Sequence, residues 1–159
     1  MPTGSALLSQ MNNLTILPNS LAIWGLGQMG IAIKGPDAIV YIDPCLTNVV
    51  EDLFGKWWYR AYPPPIAPEA VTHATFHFST HEHTDHFDPR TVEPLAKASP
   101  SARFVAPGWC NELLANAGVT PDRVIVPKGL EPITLPGTSI KLTAIPSAHY
   151  AKEYDEKKG

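Results

Sequence analysis

The chain has 159 residues, enough for one domain with a core that needs no staples. Hydrophobic residues make up 44% and charged residues 17%, as in a soluble globular protein, and the net charge of −3 comes with no Lys/Arg run, so neither nucleic acid nor an anionic membrane is an expected partner. No apolar run approaches the ~18 residues of a membrane span, the start has no signal-peptide pattern, and the two cysteines, Cys45 and Cys110, form no close pair, which together lead us to expect a cytoplasmic protein.

Residues 1–13 are polar and weakly patterned and are expected to form a loose arm, followed by a domain over 14–149 and a charged tail over 150–159. Short β-type runs at 21–24, 30–34 and 39–43, with Gly35-Pro36-Asp37 as a hairpin turn, predict an antiparallel meander. Residues 45–68 are irregular and hold Trp57, Trp58, Tyr59 and Arg60 before Pro63-Pro64-Pro65. Two readings compete for this stretch: a hydrophobic plug over one edge of the core, or a lid or substrate wall. The second makes Trp57, Trp58 and Arg60 candidate substrate-binding residues. Arg60 and Lys128 are positions for an anionic group or ordinary solvated charges.

A helical turn is expected at 68–71 and a strand at 74–79. A helix is expected from Asp88 to Ala98, with Asp88 as N-cap, Pro89 at its first position and Val92, Leu95 and Ala96 on one face. A strand at 102–106 precedes an amphipathic helix at 107–118, closed by Gly118. A short apolar run follows at 124–126. A strand pair at 133–135 and 139–145 turns at Pro136-Gly137. No repeat or linker interrupts the order, and the 17 prolines read as punctuation between short elements.

Gly25, Gly27 and Gly30 spell GxGxxG, with Asp43 downstream. A dinucleotide site needs a helix directly after the glycines to hold the pyrophosphate. Only residues 31–34 separate Gly30 from Gly35-Pro36, while a parallel crossover needs about 10–12 residues or more. The glycines are therefore expected to serve a tight turn and close backbone packing, and a dinucleotide-binding protein is the least favoured function.

Residues 80–87 read Thr-His-Glu-His-Thr-Asp-His-Phe, giving HxHxDH after an apolar strand and before a helix N-cap. Asp85, not histidine, stands four positions after His81, which excludes the helix-borne HExxH arrangement. On an extended stretch His81 and His83 share a face, so two neutral imidazoles can grip one divalent metal. Asp85 and His86 follow as the chain turns and can reach a neighbouring position. Paired metals of this kind lie about 3.5–4 Å apart and share a hydroxide. Glu82 faces the other way and is expected to be a non-ligand. His73 and His77 are expected to be satisfied structural histidines.

HxHxDH at a strand end resembles the signature of the metallo-β-lactamase superfamily. Residues 24–30, 41–44, 79–88 and Ala106-Pro107 are similar to its ascorbate-6-phosphate lactonase branch. The resemblance covers roughly 21–149. It implies an α/β (α+β) fold, the metallo-β-lactamase-like αββα four-layer sandwich, of which this chain looks like the N-terminal half. It implies His81, His83 and His149 as ligands of one metal and Asp85 and His86 as ligands of a second, the ions being Zn or Mn. Asp85 would also orient the nucleophile, which makes it the candidate catalytic residue.

The implied function is a metal-dependent hydrolase of a sugar lactone or phosphorylated-sugar lactone, acting through a metal-bound hydroxide. The family's bridging carboxylate and distal histidine have no counterpart here, and Asp155 lies in the charged tail. Low or no activity is therefore expected from this chain alone. The alternative is a truncated, catalytically incompetent metal-binding fragment. The expected partners are a small-molecule substrate and a missing C-terminal half or a second copy of the chain.

Overall fold

The computed structural model describes residues 2–147. Three short strands open the sheet: β1 (Ala22–Gly27), β2 (Gly30–Lys34) and β3 (Ile39–Ile42). They pair antiparallel, as the tight connections between them require. Gly35 N–H donates to the Ala38 carbonyl and closes the second turn at 2.9 Å.

The chain then changes mode. β4 (Phe76–Phe78), β5 (Arg103–Val105) and β6 (Val124–Ile125) add on in parallel, completing a six-stranded sheet in sequence order. Parallel neighbours need crossovers, and helices supply two of them: α3 (Pro89–Ala98) between β4 and β5, and α4 (Asn111–Asn116) between β5 and β6. The third, between β3 and β4, contains α2 (Val49–Phe54) and two 3-10 turns, Lys56–Trp58 and Pro68–Ala70.

Asp88 caps α3 as expected, accepting from Arg90 N–H at 2.9 Å, and Pro89 occupies the first turn. The helix expected at 107–118 instead starts as a 3-10 turn, Gly108–Cys110, before α4. Gly118, at φ +77°, ends it.

The sheet is buried on both faces. Ile39 and Tyr41 of β3 join Leu26, Val92, Leu95, Phe104 and Leu114 on the helix-covered side. The alternate residues Val40 and Ile42 face the other way, with Phe76, Phe78, Val105 and Leu135. That second face is met by a separate two-stranded sheet, β7 (Ile133–Thr134) with β8 (Lys141–Leu142). Asp37, in the β2–β3 turn, ties the two sheets together by accepting from Ser139 N–H at 2.7 Å and from its hydroxyl at 2.9 Å.

Two expectations are corrected here. The loose arm at 1–13 is instead a helix, α1 (Gly4–Asn13), whose Leu7 and Met11 are buried in the core. Residues four apart share a helix face, so two apolar side chains suffice to dock it. Its last carbonyls, Met11 and Asn12, accept from Lys34 Nζ at 2.7 and 2.8 Å. Nor do the aromatics of 57–59 plug the core: Trp57 is 87% exposed, and Trp58 and Tyr59 are exposed beside it. No helix among the described residues is long and apolar enough to cross a membrane.

His73 and His77 are structural, as expected. His73 Nε2 lies 2.8 Å from the Tyr41 hydroxyl, and His77 is buried, stacked on Phe104. Burial pushes the His77 imidazole down to about 4 from the ordinary 6.5. Between those values the unfolded chain binds a proton that the folded chain does not. The stability tied to this group is therefore complete above pH 6.5 and is lost as the pH falls towards 4, by about 3 kcal/mol in all. Urea midpoints followed from neutral pH to pH 4 should fall less steeply for His77→Phe than for the wild type.

Candidate metal site

β3 and β4 are parallel neighbours in register, with Ile42 opposite Phe78, so the residues leaving both strands emerge side by side. Asp43, immediately after β3, donates its N–H to the Phe78 carbonyl at 2.9 Å. Its φ of +45° turns the chain out of the sheet, a conformation that aspartate tolerates better than most residues. The turn aims a buried carboxylate at the start of the loop after β4. Oδ1 accepts from Thr80 N–H at 2.7 Å, and Oδ2 meets the Thr80 hydroxyl and His86 Nδ1, both at 2.7 Å.

The loop that follows is coiled rather than extended. His86 and Phe87 N–H groups both bond back to the His83 carbonyl, at 2.8 and 2.6 Å. This corrects the extended geometry expected for 81–83. His81 packs against His83 with ring centroids 4.7 Å apart, and against His86 at 4.0 Å. The structure thus brings the rings of His83 and His86 against that of His81. Asp85 Oδ2 lies 3.5 Å from His86 Nε2. His149 lies outside the described residues.

Among the described residues, no group of three or more His, Cys, Asp and Glu side chains is disposed to hold a metal ion. The donor set nonetheless fits a divalent cation in its chemistry. Three imidazoles and a carboxylate sit on one tight loop, and His86 is backed at Nδ1 by the Asp43 carboxylate, the support that metal-binding histidines commonly have. Thiolates take no part: burial raises the free thiols of Cys45 and Cys110 to about 11 and about 12. The Glu82 carboxylate accepts from Trp109 Nε1 at 2.6 Å. Burial works to raise the Glu82 carboxyl, but its own backbone, the Trp109 bond and the nearby His81 and His83 together hold it below the usual range.

The GxGxxG segment is the β1–β2 turn, with no helix after it. Gly27 has φ +87°, and a Cβ there would come within 2.6 Å of Arg60 Nη2. A Cβ on Gly30 would lie 3.2 Å from the Asp43 carbonyl and from Pro44 Cα. The glycines thus serve a turn and a close approach, and that approach packs the hairpin against the segment carrying Asp43.

Gln28 of this turn, with Trp57, Trp58, Tyr59, Arg60, Ala61 and Tyr62, lines an open cleft of about 340 Å³. Arg60 is not a free surface charge. Its guanidinium donates to the carbonyls of Cys45 at 2.8 Å, Thr47 and Leu26 at 3.3 Å, and Tyr62 at 3.4 Å. Lys128 is exposed.

Sequence reasoning missed Asp43 and Thr80 as site residues. In the sequence Asp43 figures only in the rejected GxGxxG motif and in the 41–44 resemblance, and its signal as a site residue is a carboxylate at a strand end just before proline. Thr80 directly precedes the histidines, but nothing local shows that its hydroxyl is shared.

No family model matches the sequence, and no curated protein matches it. Among solved structures the chain is similar to CmlA, a diiron beta-hydroxylase from Streptomyces venezuelae, at a TM-score of 0.56 and 17% identity, covering 82% of this chain and 24% of that one. Such a likeness carries the fold: a mixed α+β arrangement of a central sheet and helices, of the metallo-β-lactamase-like kind. The chain spans only about a quarter of that protein's length.

Asp43→Ala leaves Thr80 and His86 without their buried acceptor. It should cost about 3 kcal/mol, and amide hydrogen exchange across residues 80–87 should accelerate more than in β2 or α3.

Proposed function

We propose that this chain carries the metal-binding site of a metal-dependent hydrolase acting on a sugar lactone. The observation that carries the reading is the packing of the His83 and His86 rings against that of His81, at 4.7 and 4.0 Å, with His86 held from behind by Asp43. His81 and His83 would hold one cation, with His149 as third ligand on the strength of the resemblance. Asp85 and His86 would serve a second, and Asp85 would orient the attacking water. A divalent ion such as zinc or manganese would supply Lewis acidity and a water acidic enough to attack at neutral pH. Further donors would come from another polypeptide segment or a second copy of the chain. The buried free thiols accord with a reducing, cytoplasmic setting.

The substrate wall in this reading is the cleft beside the β1–β2 turn. Trp57, Trp58, Tyr59 and Tyr62 offer exposed ring faces and edges, and Gln28 offers a polar group. Such a surface suits a ring with a C–H face and hydroxyl edges. Four of the five Arg60 N–H groups are taken up by carbonyls, so Arg60 acts as a strut under this wall that keeps its charge, and both a sugar lactone and a phosphorylated-sugar lactone fit the reading.

A second reading, a metal-binding module without catalysis, draws on two observations. His86 Nε2 faces Asp85, and the described residues form no closed metal-holding group.

The test combines calorimetric titration of zinc and manganese with lactone turnover, with and without a chelator. Saturable metal binding, weakened at least ~10-fold in His81→Ala and His83→Ala, with turnover that the chelator abolishes, is the expected result for the hydrolase. Binding without turnover selects the second reading, and no binding overturns both.

A further inference from the structure

One hydroxyl stands between three groups of the loop. Thr80 Oγ1 lies 2.7 Å from Asp43 Oδ2, 3.1 Å from His81 Nδ1 and 3.2 Å from His86 Nδ1. A threonine hydroxyl has one proton to give and two lone pairs to receive with, while an ionised carboxylate can only accept. Asp43 Oδ2 also faces His86 Nδ1 at 2.7 Å.

These constraints fix the proton directions. The Thr80 proton goes to Asp43 Oδ2, the shorter and charge-assisted bond. Thr80 Oγ1 is then an acceptor towards both rings, so His81 must bring an N–H at Nδ1. His86 must do the same, because both of its Nδ1 neighbours, Asp43 Oδ2 and Thr80 Oγ1, are acceptors. A neutral imidazole carries one N–H. His81 therefore holds its lone pair at Nε2, whereas His86 Nε2 faces another acceptor, Asp85 Oδ2, at 3.5 Å, so Thr80 and Asp43 fix only its Nδ1–H. The opposite arrangement, with Thr80 donating to His81, would move the His81 proton to Nε2, where it would block coordination.

We propose that Thr80 is a positioning residue whose hydroxyl, working with Asp43, sets the tautomer of His81 so that it presents Nε2 as a metal donor. Its consequence for metal binding rests on the reading given under Proposed function; the tautomer itself is a property of the metal-free chain. The backbone at this point is held separately, by the Thr80 N–H on Asp43 Oδ1 at 2.7 Å, so the side chain can be changed without releasing the loop.

The experiment is long-range ¹H–¹⁵N correlation NMR of the metal-free, full-length protein labelled at histidine, for the wild type, Thr80→Val and Thr80→Ser. The wild type should show His81 and His86 protonated at Nδ1. Thr80→Val should move His81 away from that pattern and leave the remote His77 unchanged, and Thr80→Ser should restore it. Should valine unfold the chain, Thr80→Ala provides the same comparison in a smaller volume. In calorimetry, zinc affinity should fall about 10–100-fold in Thr80→Val and recover in Thr80→Ser. An unchanged His81 tautomer in a folded Thr80→Val or Thr80→Ala protein overturns the proposal. A wild type that takes up no zinc overturns the metal reading instead, and the tautomer comparison still decides the role of Thr80.

Discussion

The buried carboxylate of Asp43 is the constraint on which the site depends. An ionised group taken out of water is costly unless donors surround it. Asp43 is 4% exposed and receives three: the Thr80 N–H, the Thr80 hydroxyl and His86 Nδ1. All three come from the loop after β4, and they reach Asp43 only because β3 and β4 run parallel in register. Pairing of the two central strands and the shape of the histidine loop are therefore one event. A one-residue slip would carry Asp43 away from Thr80 and would also turn Tyr41 and His77 out of the helix-covered side.

The rest of the fold supports that junction from both sides. On one, the β1–β2 turn lies so close to Asp43 and Pro44 that a Cβ at position 30 would press on their backbone at 3.2 Å. On the other, Asp88 caps α3 and also accepts from the hydroxyls of Thr47 at 2.8 Å and Thr91 at 2.5 Å. The loops after β3 and β4 are thereby fastened twice, once at Asp43 and once at Asp88. Arg60 adds a third tie, joining the carbonyls of Leu26, Cys45 and Thr47.

What the sequence made legible is what depends on local pattern. Alternating apolar runs located the strands, Asp88-Pro89 located the start of α3, and the HxHxDH spacing located the loop. The GxGxxG segment forms the expected tight turn, since the chain before Gly35-Pro36 is too short for a crossover helix. What stayed hidden depends on partners far along the chain. Leu7 and Met11 dock α1 onto a core assembled from later elements, so a short polar segment gave no sign of it. The bond from Thr80 to Asp43 spans 37 positions. The exposure of Trp57 and Trp58 could not be read from composition, since the same aromatics would serve a plug or a wall. The tight turn after His83 is closed by two backbone bonds to the His83 carbonyl, which no side-chain pattern reports.

That turn bears on how the site would work. In many small metal sites the ligands are brought together by the ion itself, so that binding and folding are one transition. Here the histidine loop is closed by protein bonds alone: two to the His83 carbonyl and three to Asp43. The ordering of the loop is then met by its own backbone and side-chain bonds. The same network that buries Asp43 therefore also orders the histidine loop.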